Sequence, residues 1–426
     1  MHPQELPEEL PQEKNDQDIR SQPECNIGTL GHVDNGKSTL VQALTGIWTA
    51  RHSEELRRGI TIRIGYADAA FYKCLRCKPP GCYTTQKKCL THDSEAKFLR
   101  AVSFVDCPGH HSLMVTMLSG ASLMDGALFV LASNIKCPQA QDREHLLAAE
   151  IAGLKNIVVV QNKIDIVDRD RALENLKEIR QFLKGTIAAK APIIPVSAQH
   201  KLNIDVLIEA IEKHIPTPKR DLTATPRMFI LRSFDVNKPG TEPKGLLGGV
   251  IGGSIVEGVF RVGDEIEIKP GSRIESGGKV HYEPITTTIQ SLHTGGGSTK
   301  EARCGGLVGL GTLLDPSLTK SDGLVGNVAG KAGTLPGSQE KLTLDVQLFE
   351  RAVGTEAMVA VDKIRTNEAL VLNVATSVTS GLVTSAREDV IDVALRKPVI
   401  AEPGSKVTLS RRIGESWRLI GVGKIK

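Results

Sequence analysis

Two patterns of hydrophobic and polar residues divide this chain of 426 residues. Up to about Pro216, short apolar runs such as AVSFVD, GALFVLAS and NIVVVQNKID alternate with helix-like segments such as QDREHLLAAEIAGL and RALENLKEIRQFL. This alternation predicts a doubly wound, mostly parallel sheet with helices on both faces. The first half of the chain is therefore predicted to be an α/β domain.

The helical pattern stops after the proline-flanked link HIPTPKRDLTATP. Short β-branched runs separated by glycine pairs follow, among them GGVIGGSIVEGVFRVGDEIEIKPG, LTLDVQLF and ALVLNVATSV, and they predict two β-barrels that meet near GTLPGSQEK. The predicted domains are the α/β domain at residues 24–217, with a cysteine-rich insert at 74–92, and barrels at 218–335 and 336–426.

Composition and charge narrow the class of protein. With 40% hydrophobic residues the chain can bury large cores, and no apolar run approaches the length of a membrane span. The tail at residues 1–23 is acidic and proline-bearing where a signal peptide is basic and then apolar, which predicts disorder and a cytoplasmic location. A net charge of +4 is too small to indicate nucleic-acid binding by bulk charge.

Four of the eight cysteines crowd into the insert, which favours a metal site over disulfides. Cys74-x-x-Cys77 and Cys89-x-x-His92 are two knuckles with the same gap, and three thiolates with one imidazole suit tetrahedral Zn²⁺. Cys82 is the rival fourth ligand. The alternative to a metal site is a loop of free reduced thiols.

The stretch GTLGHVDNGKSTL follows an apolar strand and opens a helix, which is the context of a phosphate-binding loop. Small residues let backbone N–H groups wrap the phosphates, Lys37 adds positive charge, and Ser38 offers an oxygen to Mg²⁺. A tight structural turn is the alternative. The candidate nucleotide-binding residues of the loop are Asp34, Asn35, Gly36, Lys37, Ser38 and Thr39.

The motif DCPGH follows another apolar strand and predicts a sensor for the third phosphate. Asp106 can hold a magnesium-bound water, while the Gly109 N–H meets the terminal phosphate. His110 can turn toward the attacking water and orient it. Upstream, Thr61 in the segment RGIT could complete the magnesium shell as part of a switch, although a plain β-strand is the alternative.

Guanine selection is predicted from NKID, at the carboxyl end of a strand, and from SAQ after the next strand. The Asp165 carboxylate can accept hydrogen bonds from guanine N1 and the exocyclic amine, a donor pair that adenine lacks. The candidate base-binding residues are Asn162, Lys163, Asp165, Ser197, Ala198 and Gln199.

These motifs, followed by two β-barrels, resemble the translational GTPases related to elongation factor Tu. The resemblance is closer to the gamma-subunit family of archaeal and eukaryotic translation initiation factor 2, on HSEELRRGITIRIGYADA, the cysteine insert, RSFDVNKPG and LSRRIGESWRLIGVGKI. It implies a GTP-dependent carrier of methionylated initiator tRNA, acting with alpha and beta subunits in a heterotrimer. Delivery would be to the small ribosomal subunit, with hydrolysis of GTP to GDP triggering release.

Some residues differ from the family pattern, and others are assigned a role only because of the resemblance. The family usually has histidine at Asn35 and threonine at Ser38, and serine keeps the magnesium-binding oxygen. By resemblance, Asp34 and the Gly59 carbonyl hold a second Mg²⁺. The family often has four cysteines in the insert, with His92 at the place of the last.

Three functional classes share these motifs. The chain could be a GTP hydrolase whose timing controls tRNA release, or a nucleotide-gated binding subunit that hardly hydrolyses GTP by itself. It could also be a carrier for elongation or for a special aminoacyl-tRNA, although the cysteine insert argues against an ordinary elongation factor.

Overall fold

The computed structural model describes residues 22–49, 64–89, 91–109, 114–238, 240–295, 297–352 and 359–426. An α/β domain is followed by two antiparallel β-barrels, which confirms the predicted fold class. The tail predicted to be disordered lies almost entirely outside the described residues. Within the described residues, no helix is long and apolar enough to cross a membrane.

A seven-stranded sheet organises the first domain. Its strands are Cys25–Leu30 (β1), Gly65–Lys73 (β2), Tyr83–Thr84 (β3), Lys97–Asp106 (β4), Gly126–Ala132 (β5), Ile157–Asn162 (β6) and Ile193–Pro195 (β7). Their order is β3-β2-β4-β1-β5-β6-β7, parallel from β4 to β7, with β2 and β3 antiparallel at one edge. Every residue of β1, β5 and β6 is buried, which is why these strands read as continuous apolar runs.

Helices cover both faces of this sheet. They are Lys37–Thr45 (α1), Met114–Ala121 (α2), Ala140–Ile151 (α3), Arg169–Leu183 (α4) and Ile204–His214 (α5), with a 3₁₀ turn at Ile164–Ile166. Apolar side chains of α2, α3 and α4 share one buried cluster, and those of α1 and α5 share another. The alternating apolar and polar segments thus place the carboxyl ends of β1, β4 and β6, where the phosphate and base motifs lie, along one edge.

The first barrel contains β8 to β16 and a short helix. The strands are Arg227–Phe234 (β8), Val250–Glu257 (β9), Val259–Arg261 (β10), Glu265–Ser276 (β11), Lys279–Thr294 (β12), Gly297–Thr299 (β13), Glu301–Arg303 (β14), Val308–Thr312 (β15) and Val328–Lys331 (β16), and the helix is Pro316–Thr319 (α6). The order β11-β16-β8-β9-β15-β12 closes through pairing of β11 with β12, while β13 pairs with the end of β12 and β10 pairs with β14. Further 3₁₀ turns lie at Pro243–Gly245 and Lys320–Asp322.

The second barrel is closed in the order β17-β20-β19-β18-β21-β22. Its strands are Gln339–Leu348 (β17), Ala369–Val374 (β18), Ser377–Arg387 (β19), Val390–Val399 (β20), Lys406–Ile413 (β21) and Ser416–Ile425 (β22). The junction predicted at 217/218 falls between α5 and β8, and that at 335/336 falls between β16 and β17.

Candidate functional site

The phosphate-loop motif forms the turn between β1 and α1. Asp34 and Gly36 have φ of 66° and 86°, and a Cβ on Gly36 would lie 2.4 Å from Asn162 Nδ2. Glycine is therefore required at this position by both conformation and space. As the N-cap residue, Gly36 presents no side chain to the first-turn N–H groups of α1, an arrangement suited to binding phosphate.

Lys37 and Ser38 point toward the sensor strand. The Lys37 ammonium is buried and donates to the carbonyls of Gly31 (2.9 Å) and His32 (2.8 Å). Burial lowers its pKa, and the nearby Asp106 carboxylate opposes that shift. Ser38 Oγ lies 2.6 Å from Asp106 Oδ2, and oxygens of this kind are the donors that Mg²⁺ prefers.

Asp106 is fully buried at the end of β4. Besides Ser38, its carboxylate accepts hydrogen bonds from Thr29 Oγ1 (2.9 Å) and Thr49 Oγ1 (2.6 Å). Three hydroxyl donors hold the carboxylate in one orientation beside the phosphate loop. Neither threonine was predicted from the sequence as a site residue.

Gly109 brings the sensor segment against the phosphate loop. A Cβ on this residue would lie 2.4 Å from Lys37 Nζ and 2.9 Å from Val33 N. The sensor backbone and the loop are therefore in direct contact. The predicted site residues Gly59, Thr61 and His110 lie outside the described residues.

The base motifs meet the phosphate loop through one side chain. Asn162 Nδ2 donates to the Asn35 carbonyl (2.9 Å), and Asn162 Oδ1 accepts from the Ala198 N–H (3.1 Å). Lys163 adopts φ of 62°, and its carbonyl accepts from Ser133 Oγ (2.7 Å). The NKID and SAQ segments are thus joined to each other and to the loop, although the exposed Gln199 has no contact that assigns it to the site.

The Asp165 carboxylate is suited to accept hydrogen bonds at neutral pH. A hydrogen bond from Ser197 holds its pKa below the ordinary range, and His200 Nε2 lies 3.7 Å from its Oδ2. An ionised carboxylate offers acceptors only, as the guanine N1 and amine donors require.

The four metal-ligand candidates of the insert converge. The sulfurs of Cys74, Cys77 and Cys89 and the Nδ1 of His92 all lie within 4.8 Å of one another. His92 Nδ1 is 3.7, 3.4 and 3.6 Å from these sulfurs in turn, and the Cys77 and Cys89 sulfurs are 3.6 Å apart. Ligand bonds of about 2.0–2.3 Å around tetrahedral Zn²⁺ require donor separations of about this size.

The surroundings of the cysteines separate Cys82 from this group. Hydrogen bonding from the His92 backbone N–H lowers the pKa of Cys89 to about 6, which favours the thiolate that a metal binds. Cys82 is buried, its carbonyl accepts from the Cys74 N–H (2.7 Å), and burial raises the pKa of its thiol. Among the described residues, the donors that converge are those of Cys74, Cys77, Cys89 and His92, and the Cys82 sulfur is not one of them.

Sequence reasoning also missed three side chains of α3 that contact the phosphate loop. They accept hydrogen bonds from the backbone N–H groups of three consecutive loop residues, Gly31, His32 and Val33. The acceptors are His145 Nδ1 (2.9 Å), Asp142 Oδ1 (2.9 Å) and Gln141 Oε1 (3.1 Å). Spacings of three and four residues put such side chains on one helix face, but that signal does not tell which loop the face meets.

Family models cover each domain of the chain. The model described as elongation factor Tu GTP binding domain matches residues 22–217, and that of elongation factor Tu domain 2 matches 248–326. The model described as initiation factor eIF2 gamma, C terminal, matches residues 340–425.

Solved structures with this fold include other translation factors. A bacterial selenocysteine-specific elongation factor EF-Sec superposes with a TM-score of 0.70 at 22% identity, over 94% of this chain and 58% of that one. Elongation factor SelB from Methanococcus maripaludis, in complex with the GTP analogue GppNHp, gives 0.68 at 21% identity, over 95% and 79%. At these identities the likeness shows the shared fold.

Two relatives of much higher identity share one description. Translation initiation factor 2 subunit gamma of Methanocaldococcus jannaschii is 57% identical over 95% of this chain and 98% of its own length. The protein of the same name from Archaeoglobus fulgidus is 58% identical over 95% of both chains. This chain therefore belongs to the gamma-subunit family of translation initiation factor 2 and is a translational GTPase.

Proposed function

We propose that this GTPase carries methionylated initiator tRNA to the small ribosomal subunit, as the nucleotide-binding subunit of a heterotrimer with alpha and beta subunits in the cytoplasm. The observation that carries the proposal is the contact of the sensor residue Gly109 with Lys37 of the phosphate loop. That contact occurs in a chain whose C-terminal barrel matches the initiation-factor family.

GTP and GDP bind with their phosphates on the loop and the N-terminus of α1. Lys37 neutralises phosphate charge, while Asp34, Asn35, Gly36 and Thr39 contribute backbone groups. Mg²⁺ supplies a positive charge that offsets the charge of the phosphates.

The residues proposed for Mg²⁺ come from three segments. Ser38 and Thr61 provide oxygen ligands, Asp106 orients a coordinated water, and Asp34 with the Gly59 carbonyl holds a second ion. This set is supported by the 2.6 Å contact of Ser38 with Asp106, which brings two suitable oxygens together.

Hydrolysis requires a water in line with the terminal phosphate. His110 orients that water, and the Gly109 N–H donates to the phosphate. The position of Gly109 against Lys37 supports the role given to the Gly109 N–H.

Guanine is selected by Asp165, with the backbone of Ser197, Ala198 and Gln199 closing over the base. Asn162 and Lys163 hold this part of the site against the phosphate loop. The support for this arrangement is the pair of hydrogen bonds that the Asn162 side chain makes, one with Asn35 in the phosphate loop and one with Ala198 in the SAQ segment.

The insert binds one structural Zn²⁺ through Cys74, Cys77, Cys89 and His92. The support is the close approach of these four donors. In the part of the insert that the structure describes, the only strand is the two-residue β3, so ligand bonds would stabilise a segment with little regular structure of its own.

The carrier role is tested by binding of methionylated initiator tRNA to the protein with its alpha subunit. We expect at least tenfold tighter binding with a non-hydrolysable GTP analogue than with GDP, which needs only about 1.4 kcal/mol between the two states. Methionylated elongator tRNA is the control. Equal binding of the tRNA with both nucleotides would contradict the carrier role and indicate a GTP-binding scaffold. Measurement of single-turnover hydrolysis with and without ribosomes separates a timed hydrolase from a nucleotide-gated binding subunit.

A further inference from the structure

Helix α3 holds the phosphate loop through side-chain hydrogen bonds. Its first turns present Gln141, Asp142 and His145, all buried, as acceptors for the three consecutive N–H groups of the loop. These backbone groups precede Asp34, so they lie upstream of the part of the loop that faces α1.

Asp142 makes a further contact with the loop through Asn35. Asn35 Nδ2 donates to Asp142 Oδ1 (3.1 Å) and to the Val130 carbonyl (2.9 Å), and the Asn35 side chain is buried. The other carboxylate oxygen accepts from the Gln139 N–H (2.8 Å) at the start of α3. One carboxylate therefore holds both His32 and Asn35 of the loop against the start of the helix.

His145 serves as a neutral acceptor. Burial, and then the positive charge of Lys37, lower its pKa to about 3, so the ring is uncharged at neutral pH. Its Nδ1 accepts from the Gly31 N–H, which fixes the ring proton on Nε2.

The other end of α3 contacts the second barrel. Lys406 Nζ donates to the carbonyl of Ile151, the last residue of the helix, at 3.2 Å. Leu419 of β22 packs in the same buried cluster as Leu146 and Ile151. The helix thus spans from the phosphate loop to the second barrel.

We propose that α3 controls how long the phosphate loop retains GDP, with Asp142 and His145 as positioning residues and the Lys406 contact as the point where the second barrel acts on them. The inference rests on nucleotide binding by this loop. A loop that α3 holds in its binding conformation loses less conformational entropy when the nucleotide binds. Loss of the hydrogen bonds to α3 lowers the fraction of molecules whose loop is in the conformation that binds the nucleotide.

The test measures release of a fluorescent GDP analogue after a chase with unlabelled GDP. His145→Leu removes the acceptor for Gly31, and we expect about tenfold faster release. His145→Asn should restore slow release, because Asn Oδ1 lies as many bonds from Cα as His Nδ1 does. Glu150→Ala, on an exposed position of the same helix, is the matched control and should not change the rate.

Asn35→Ala is the second variant, in case His145→Leu folds poorly, and should also accelerate release. Lys406→Ala should accelerate release by a few-fold while the thermal midpoint of the GTP-bound protein stays unchanged. Unchanged release in His145→Leu and Asn35→Ala, or equal acceleration by His145→Leu and His145→Asn, would overturn the proposal. A wild-type protein that binds no guanine nucleotide would instead count against the GTPase function.

Discussion

Replacing Gly109 with alanine tests whether this residue reads the terminal phosphate. The new methyl group would lie 2.4 Å from Lys37 Nζ and 2.9 Å from Val33 N, below the 3.0 Å that real Cβ atoms keep. The lysine can turn aside, but the Val33 N–H is tied to Gln141 Oε1 at 3.1 Å. The sensor backbone must therefore move away from the phosphate loop.

The size of the effect follows from the hydrogen bond that this movement breaks. A hydrogen bond to a charged group contributes about 1.5–3 kcal/mol, so affinity for GTP should fall about 10- to 150-fold. GDP lacks the third phosphate, which receives this bond in GTP. The affinity for GDP should therefore change by less than about threefold.

The assay is a titration of Gly109→Ala with a fluorescent non-hydrolysable GTP analogue and with fluorescent GDP. Gly337→Ala is the matched control, because a Cβ there meets no atom within 4 Å. Equal weakening of both nucleotides would indicate general damage to the loop. Unchanged affinity for both would show that Gly109 does not contact the terminal phosphate, and either result refutes the reasoning.

Three further predictions concern the base, the metal and the chemical step. Asp165→Asn should weaken GTP binding and favour xanthosine triphosphate, because the acceptor pair is lost; equal wild-type affinity for ATP and GTP contradicts this. Elemental analysis should find one zinc per chain, lost in His92→Ala and retained in Cys82→Ala, and the reverse would assign Cys82. His110→Ala should keep GTP affinity and slow ribosome-stimulated hydrolysis, so an unchanged single-turnover rate would remove His110 from the mechanism.

The order of sheet and barrels was predictable because it depends on local patterns. Fully buried parallel strands such as β5 and β6 need apolar runs, and the switch to glycine-separated strands after α5 marks the start of the barrels. The antiparallel edge strand β3 has only two residues and leaves no comparable pattern.

The candidate sites were predictable where a motif or a short separation defines them. The zinc candidates lie within 18 positions of one another, so spacing alone brings them together. The contact of His145 with Gly31 spans 114 positions and involves a backbone N–H. Such a contact depends on how α3 packs on the sheet, which the sequence of neither segment specifies.

Asn162 shows why the base and phosphate parts of the site form one structure. Its amide nitrogen donates to the Asn35 carbonyl in the phosphate loop, and its amide oxygen accepts from the Ala198 N–H in the SAQ segment. Asn35 in turn uses its side chain to reach Asp142 on α3. A change in the conformation of the loop is therefore transmitted to the base motif by Asn162. The same change is transmitted to α3 by Asn35. Because these residues share partners, the energetic effects of substituting them should not be additive.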